Sequence, residues 1–270
     1  MQIIDAQWDF EVLGVKSVEL RCEANDSFAS IMETMNGLAA TYEYMVVKVP
    51  VLHREINQNL PQSKFNFIET LISVERSVKS STLDPRLSQK AAGLTTEIAN
   101  AGEILHVRDQ LMKGIFLTDR IALDQKFGPH VSAKRYWNWI QAEIELGAVV
   151  YFVTLPNSSP VGFFTLRVTD KKIAHSVLSG VFDAQNTPGM GLVLLFLILQ
   201  KAGENGAKKI TSAISSNNLP VVRTHIQLGF EVKDMNYVYI HHVSKERDQS
   251  RCKFSAEVGR KKSAYSNQPM

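Results

Sequence analysis

The chain has 270 residues, 44% of them hydrophobic, so it is long enough to bury the core of one large or two modest domains. Its 30 Lys and Arg residues against 27 Asp and Glu leave a formal net charge of +3, which excludes a nucleic-acid or membrane-surface protein built on a strong basic field. A small-molecule partner is therefore expected. The two cysteines, Cys22 and Cys252, have no metal-binding or redox spacing, which favours a reducing compartment and predicts a cytoplasmic location.

Neither a leader nor a membrane span is predicted. The opening "MQIIDAQWDFEV" has early acids and lacks the basic and apolar regions of a signal peptide. The longest apolar run, Leu192 to Leu199, is much shorter than the roughly 20 residues that cross a bilayer. These features predict a soluble protein with no membrane partner.

Hydrophobic spacing predicts a small N-terminal α/β domain over residues 1–78, followed by a connection over 79–104. The domain's pattern is β-α-β-α-β, with strands over 15–22, 42–51 and 64–78 and helices over 27–40 and 53–60. The connection is rich in Ser, Thr, Ala and Gly and shows no sustained period. No internal repeat is visible in the sequence.

A denser pattern over 105–243 predicts a second domain, and the polar segment 244–270 is predicted to be a tail. Two helical segments come first, at 104–116 and 132–146. Three strand-like runs follow at 148–155, 160–168 and 174–182, separated by short turns, so they are expected to be antiparallel neighbours. An apolar helix, a strand, a helix ended by Gly229 and a last strand complete the order.

Two glycines, Gly189 and Gly191, stand where the third of these strands gives way to the apolar helix. The first turn of a helix presents free N–H groups at the positive end of its dipole, and glycine lets a ligand approach the main chain closely. We therefore expect a phosphate or diphosphate on the amides of Gly189, Met190, Gly191 and Leu192. The plain alternative is a tight turn that binds nothing.

Three phosphate-binding patterns were compared with this turn. A dinucleotide fingerprint would need a third glycine where Leu194 stands, and the G-K-[ST] of a Walker loop is absent. The acyl-CoA loop [QR]-x-x-G-x-[GA] keeps both glycines, with Asn186 in place of the first residue. The acyl-CoA pattern is thus the best match of the three.

The following forty residues extend this match. Asn218, His225 and Gly229-Phe230 have the spacing of N-x6-Y-x3-G-F, with His in the tyrosine position. In these motifs and in element order, residues 105–243 resemble the GCN5-related N-acetyltransferase superfamily. The resemblance implies an α/β (α+β) fold with a mixed, mostly antiparallel sheet and helices on both faces, beside the smaller N-terminal α/β domain.

A narrower resemblance covers most of the chain. Two upstream motifs are similar to those of the dTDP-fucosamine acetyltransferase group, which acylates amino groups on nucleotide-linked deoxysugars. Their residues here are Trp8, Asp9, Gly14, Phe116, Arg120, Tyr136 and Trp139. The resemblance implies a dTDP-linked amino sugar as the acceptor, and implies Arg120 and Tyr136 as residues that bind it. For Arg120 the alternative is an ion pair with Asp119 or Asp124, and for Tyr136 it is a place in the core.

The superfamily resemblance also implies the donor site. Main-chain groups of Val181, Phe182 and Asp183 are expected to contact the acyl carbonyl, and Asn186 and Asn218 to contribute to acyl-CoA binding. For Asn218 a helix N-cap ahead of Leu219-Pro220 is compatible with that role.

The same resemblance suggests the residues that move protons. His225 takes the place of the family's acid, and His225→Ala is predicted to lower turnover about 10²-fold; the alternative is a packed histidine. Asp183 or Glu69 is the candidate acceptor of the amine proton. An amino sugar whose pKa is near neutral needs no side-chain base.

The sequence therefore predicts an acyl-CoA-dependent N-acyltransferase. Acetyl-CoA or 3-hydroxybutanoyl-CoA is the expected co-substrate, and a dTDP-linked 3-amino-3,6-dideoxy- or 4-amino-4,6-dideoxyhexose the expected acceptor in polysaccharide synthesis. A protein or peptide amine as acceptor and a non-catalytic binding module remain alternatives. No metal site is predicted, because the adjacent His241 and His242 point to opposite faces of a strand. A homodimer contact through "NYVYIHHV" is left open.

Overall fold

A computed structural model describes residues 1–78, 85–157, 159–185 and 187–243. The predicted tail, 244–270, and Asn186 lie outside the described residues. The strands are Gln2–Asp5 (β1), Ser17–Arg21 (β2), Tyr44–Pro50 (β3), Asn66–Ser77 (β4), Thr95–Ile98 (β5), Val149–Thr154 (β6), Pro160–Val168 (β7), Ile173–His175 (β8), Ser179–Val181 (β9), Lys209–Ser215 (β10) and Glu231–His242 (β11). The helices are Gln7–Leu13 (α1), Phe28–Leu38 (α2), Arg54–Asn59 (α3), Pro85–Ala92 (α4), Ala101–Met112 (α5), Arg120–Leu123 (α6), Pro129–Glu145 (α7), Met190–Glu204 (α8) and Leu219–Gln227 (α9).

All of these strands belong to one sheet. Its order is β1-β2-β3-β11-β4-β10-β8-β7-β6-β5, with β9 paired to β7. Within the described residues, only β2 with β3 and β8 with β10 are parallel, and the other neighbours are antiparallel. The predicted mixed, mostly antiparallel α/β sheet is confirmed.

Helices cover both faces of the sheet, as expected. On the first face, α2 and α3 pack over the strands at one end and α4, α8 and α9 over those at the other. On the second face lie α1, α5, α6 and α7. Strand alternation separates the two cores: in β3, Val47 belongs to the first face and Val46 to the second.

The sheet contains a structural repeat that the sequence does not show. The series β2-α2-β3-α3-β4 has the same connectivity as β8 and β9 followed by α8-β10-α9-β11. The pairing registers give the same sequence separation for three pairs of counterpart residues: Tyr44 and Lys209, Pro50 and Ser215, and Ser77 and His242.

Details of backbone conformation agree with the repeat. Lys64 and Gly229 are counterparts, and both adopt positive φ, at 65° and 73°. Each is followed by a buried phenylalanine, Phe65 or Phe230. The two halves therefore share a backbone path at these positions, although their sequences show no repeat.

The last strand of each repeat completes the other repeat's part of the sheet. β11 pairs with β3 of the first repeat, β4 pairs with β10 of the second, and β4 and β11 pair with each other. Strands from 1–78 and 105–243 therefore alternate at the centre of the sheet. The division of the chain into two domains stays a prediction, and this exchange places β4 beside the second repeat.

Two predicted segments differ from the observed elements. The 79–104 connection includes α4 and the edge strand β5, which pairs with β6. The third strand of the second domain, predicted over 174–182, is divided into β8 and β9. The break lies at Leu178, whose N–H and C=O both bond to Thr165, with the N–H reaching Oγ1 at 3.1 Å.

Candidate active site

The break between β8 and β9 opens the sheet. β8 pairs with β10 only from Ile173 to His175, and β9 pairs with β7 alone among the described strands. Beyond Thr211, the side of β10 that faces β9 has no ladder partner in the described chain. A gap between two parallel strands is thus formed, and its walls are the main chains of β9 and of residues 212–215.

The N-terminus of α8 lies on the first face, just after β9. Gly189 is its N-cap, at φ 79°, and no side chain caps this end. The N–H groups of Met190 and Leu192 have acceptors in the turn, on Thr187 and Gly189 at 3.1 and 3.2 Å. For the Gly191 N–H no acceptor is present in the described residues, so this amide can serve a ligand.

Space is also available at this turn. A Cβ built on Gly189 or Gly191 would meet no heavy atom within 4 Å. An anion can therefore approach the main chain, and the helix dipole favours it there. The predicted position of Asn186 is not described, so its part in the site stays a prediction.

The first repeat has no equivalent opening. At the corresponding turn, Ser27 caps α2 by accepting the Ser30 N–H at 3.2 Å, and Asp26 accepts the Glu23 N–H at 2.7 Å. β2 and β3 stay paired from Ser17 to Arg21. The Ser27 hydroxyl and the Asp26 carboxylate thus take the hydrogen bonds that an anion would accept at this turn, so of the two repeats the second is the one suited to bind an anion.

Val181 and Phe182 were both predicted to contact the acyl carbonyl, but only the Val181 N–H points into the gap. The Phe182 N–H donates to the Val161 carbonyl at 2.9 Å, so it is already used in the sheet. Because N–H directions alternate along an antiparallel strand, the Val181 N–H points away from β7 and toward the gap. Asp183 follows as an exposed residue at the edge of the site.

Asn218 and His225 both belong to α9, which starts where β10 ends. The Asn218 side chain caps the helix by accepting the Val221 N–H at 3.3 Å. His225 is 6% exposed, packs against Phe230, and has Nδ1 2.8 Å from the Val221 carbonyl oxygen. Since a carbonyl only accepts, Nδ1 carries the proton, and Nε2 carries one only in the imidazolium form.

Burial lowers the pKa of His225, which makes the imidazolium scarce at neutral pH. The geometry therefore favours a packed histidine, and the acid role stays a prediction. Leu60 is the counterpart of His225 in the first repeat and is fully buried, so His225→Leu is a substitution that this fold already accommodates.

We expect His225→Leu to keep turnover within a few-fold and to remove a loss of stability at acid pH. Because the folded pKa lies below the ordinary value of 6.5, the unfolded chain takes up the proton first and the wild type loses stability as the pH falls below that value. Thermal unfolding and turnover of both proteins, from about pH 8 to 5, check this. A hundredfold drop in turnover would restore the acid role.

The connection between α5 and α6 covers the gap on the second face. Ile115 and Phe116 pack so closely on Gly180 that an added Cβ would lie 3.0 Å from each. The Thr118 carbonyl accepts a hydrogen bond from the Ser215 hydroxyl at 3.1 Å. One short segment thus touches both walls of the gap, β9 and the end of β10.

Glu69 also lies beside the gap, on the second face of the sheet. The neighbouring Thr70 is bonded to Ser216, N–H to Oγ at 2.9 Å, which sets Glu69 beside the end of β10. Glu69 is paired opposite Val238, a residue of the second-face core. Glu69 is 6% exposed, and burial raises the pKa of its carboxyl group, opposed by the Arg120 charge. A buried carboxyl of raised pKa beside a gap has the character of a general base.

Arg120 and Tyr136 lie on the second face, away from bulk solvent. Arg120 is buried and bonds Asp9, Nη2 to Oδ2 at 2.6 Å, in place of the expected surface pair with Asp119 or Asp124. Tyr136 packs on Phe116 with ring centroids 4.8 Å apart, as the core alternative expected. Roles for these two residues in binding the acceptor stay predictions.

Sequence reasoning missed most of the charged network around Arg120. Asp9 also bonds Arg135, Oδ1 to Nε at 2.6 Å, and Glu19 bonds Lys48 at 2.8 Å. Lys48 sits within the apolar run of β3, and such a charge in a buried strand is the one local signal that a buried polar partner exists.

The described ranges contain neither a metal-binding cluster nor a membrane-spanning helix. No group of three or more His, Cys, Asp or Glu side chains there is arranged to hold a metal ion. No helix in those ranges has the length and apolar character to cross a membrane.

No protein-family model matches the sequence, and comparison with curated proteins finds no relative. Solved structures are similar in fold. A GCN5-related N-acetyltransferase from Sphaerobacter thermophilus aligns with a TM-score of 0.59 at 10% identity, over 90% of this chain and 76% of that one. One from Kribbella flavida aligns with a TM-score of 0.51 at 12% identity, over 83% and 80%.

A third similar structure is the GCN5-related glucosamine N-acetyltransferase region of a fungal multi-domain GH3 beta-N-acetylglucosaminidase, with a TM-score of 0.55 at 9% identity. The alignment covers 74% of this chain and 25% of that one. Identities this low speak for the fold alone. Together with the gap between parallel strands and the uncapped helix beside it, they show that the chain has the GCN5-related N-acetyltransferase fold.

Proposed function

We propose that the protein is an acyl-CoA-dependent N-acyltransferase whose reaction takes place in the gap between β9 and β10. The observation that carries the proposal is the pairing of two features across this gap. The uncapped, open N-terminus of α8 adjoins it on the first face, and the buried carboxyl of Glu69 adjoins it on the second.

The donor is proposed to bind from the first face. Gly191 N–H and the dipole of α8 hold the diphosphate, and Asn218 lies at the other wall, where α9 begins. The gap between the walls accepts an extended arm, and Val181 N–H supplies a donor for the acyl carbonyl. Acyl-CoA supplies an activated acyl group and a thiol leaving group when it is bound.

The acceptor is proposed to reach the gap from the second face, where Glu69 takes the proton from the attacking amine. A neutral amine is required because its lone pair forms the new C–N bond. Glu69 is favoured over Asp183 because it is buried at the gap, whereas Asp183 is exposed. Orientation of two bound reactants can itself supply roughly 7–11 kcal/mol of the barrier reduction.

The finer proposal is a dTDP-linked amino-dideoxyhexose as acceptor and an acetyl or 3-hydroxybutanoyl group as the group transferred. Its support is the motif resemblance, whose residues gather on the second face: Asp9 bonds Arg120, and Phe116 packs on Tyr136. A cytoplasmic location and a homodimer belong to the same proposal. A peptide amine and a non-catalytic module are the outcomes against which it is tested.

The test is incubation of the purified chain with acetyl-CoA or 3-hydroxybutanoyl-CoA and a panel of acceptors. The acceptors are dTDP-linked 3-amino and 4-amino sugars and a lysine peptide, and the readouts are thiol release and product mass. We expect acceptor-dependent thiol release and an acylated dTDP sugar. Acylation of the peptide alone would overturn the sugar proposal, and an absence of product with every pair would overturn the enzyme proposal.

A further inference from the structure

Arg120 carries a buried positive charge that its partner only half compensates. Asp9 is fully buried, and its two carboxylate oxygens each bind a different arginine, Arg120 and Arg135, at 2.6 Å. Two cations thus share one anion. In a low-dielectric interior, this excess of positive charge shifts the pKa values of the nearest ionisable groups.

Glu69 is a buried acid near this excess that has no ion pair in the described chain; Asp119, which also has none, accepts hydrogen bonds from the Ile121 N–H and the Ser132 hydroxyl. Glu19 on β2 is also buried, but it already has ion-pair partners in Arg21 and Lys48, at 2.7 and 2.8 Å. Within the described chain, no cation lies within 4.0 Å of the Glu69 carboxylate. The Nε of Arg120 is likewise buried without a hydrogen-bond partner in that part of the chain.

The backbone fixes Arg120 with respect to the gap. The residues Thr118, Asp119 and Arg120 are consecutive, and each is held at a different place. The Thr118 carbonyl is bonded to Ser215 at the wall of the gap, and Asp119 caps α6 through the Ile121 N–H at 2.7 Å. Arg120, on the first turn of α6, contacts Asp9 of α1, and α6 packs against β4.

We infer that Arg120 is a positioning residue for the proposed reaction: its half-compensated charge, held in place by Asp9, keeps Glu69 ionised so that it can accept the amine proton. This inference rests on the proposed function. The side chain does not touch the substrate, so it acts through Glu69.

The other groups that face Glu69 act in both directions. Lys48 on β3 favours the carboxylate, while Asp119 before α6 opposes it and Tyr136 on α7 lies within electrostatic range. Burial raises the pKa of Glu69, and Arg120 is the strongest charge that lowers it again. Loss of the Arg120 charge therefore has a predicted sign: Glu69 would ionise only at higher pH.

The experiment is the pH dependence of kcat/KM for the wild type and four variants, with the substrate pair found by the acceptor panel. In Arg120→Met the acidic limb is expected to move up by about one pH unit or more, with activity recovering at alkaline pH. Arg120→Lys keeps the charge and is expected to keep the limb. Arg135→Met is the matched control: it also loses a bond to Asp9, and since it leaves the Arg120 charge in place, any upward shift should be smaller than in Arg120→Met.

Asp9→Asn provides a test in the opposite direction and covers the case in which Arg120→Met does not fold. Removing the anion leaves Arg120 uncompensated, so the acidic limb is expected to move to lower pH. An unchanged limb in both Arg120→Met and Asp9→Asn, or an upward shift in Arg135→Met as large as that in Arg120→Met, would overturn the inference. A wild type that binds no CoA and forms no product would overturn the proposed function instead.

Discussion

Glu69→Gln is expected to lower kcat/KM at least about a hundredfold at neutral pH, the lower end of what general base catalysis contributes. Glutamine has the size of the acid and accepts hydrogen bonds, but it cannot take the proton of the amine. The loss should be in kcat, with binding of CoA unchanged, because Glu69 lies on the face opposite α8. Steady-state kinetics with the acceptor that the panel experiment finds, together with calorimetric titration of CoA, measures both effects.

The same substitution is expected to raise the melting temperature. The pKa of Glu69 is raised in the fold, so its contribution to stability is fully present below the ordinary value of 4.5 and is lost as the pH rises through the folded pKa. Glutamine avoids the cost of a buried carboxylate, so the stabilisation relative to wild type should grow with pH. Opposite effects on activity and stability are typical of a functional group held in an unfavourable place.

Asp234→Asn is the matched control for Glu69→Gln. Asp234 in β11 is the counterpart of Glu69 in the structural repeat, since Asn236 is the counterpart of Leu71. Unlike Glu69, Asp234 is exposed. The substitution removes the same charge from an exposed strand position and should leave activity unchanged within a small amount. If Glu69→Gln retained full activity, the amine would need no side-chain base and Glu69 would lose its proposed role.

Gly191→Asp is expected to weaken donor binding at least about tenfold while leaving the fold intact. The added Cβ meets no atom within 4 Å, and an acidic residue in the first turn is favourable for the helix. For a bound diphosphate, however, the new side chain brings both bulk and a like charge to the amide that holds it. The dissociation constant for CoA should rise at least about tenfold, or ~1.4 kcal/mol.

Gly37→Asp serves as the control for Gly191→Asp. Gly37 is an exposed glycine of α2 in the first repeat, and a Cβ there also meets open space. The substitution adds the same charge to the protein and should leave the affinity for CoA unchanged. Equal losses in the two variants would mean that net charge, and not the turn before α8, governs binding.

Local sequence patterns predicted the individual elements near the site well. The strand over 64–78 corresponds to β4, the short helix over 53–60 to α3, and the glycine turn is followed by α8 as expected. These elements have strong hydrophobic periods or clear turn residues, which are the signals that sequence carries locally. The fold class was predictable from the family resemblance that the motifs and the order of these elements carry.

Long-range pairing was not predictable from the same patterns. Nothing in the period of β11 indicates that it pairs with β3 and β4, since many partners satisfy the same alternation. The break at Leu178 was missed because the run 174–182 has strand-like residues on both sides of it, and its one bulge signal, Gly180, was not used. That break creates the gap, so the position of the site depended on a feature outside the reach of local analysis.

The charged residues of the second face show the same limit. Glu69 was a candidate by resemblance, but its burial depends on β4 standing between β10 and β11. The place of Arg120 beside Asp9 depends on α1 and α6 meeting over the sheet, although the two residues are far apart in sequence. The sequence identified the ionisable side chains. Their burial and their partners depend on how β4 and β11 pair with strands of the other repeat, which the sequence did not predict.

The most direct test of the account is calorimetric titration of the full chain with CoA. One binding event per chain is predicted, at the glycine turn before α8, because the corresponding end of α2 in the first repeat is capped by Ser27. The event should disappear or weaken at least about tenfold in Gly191→Asp and persist in Gly37→Asp. No heat with the wild type, two equivalent events, or full affinity in Gly191→Asp would contradict the account.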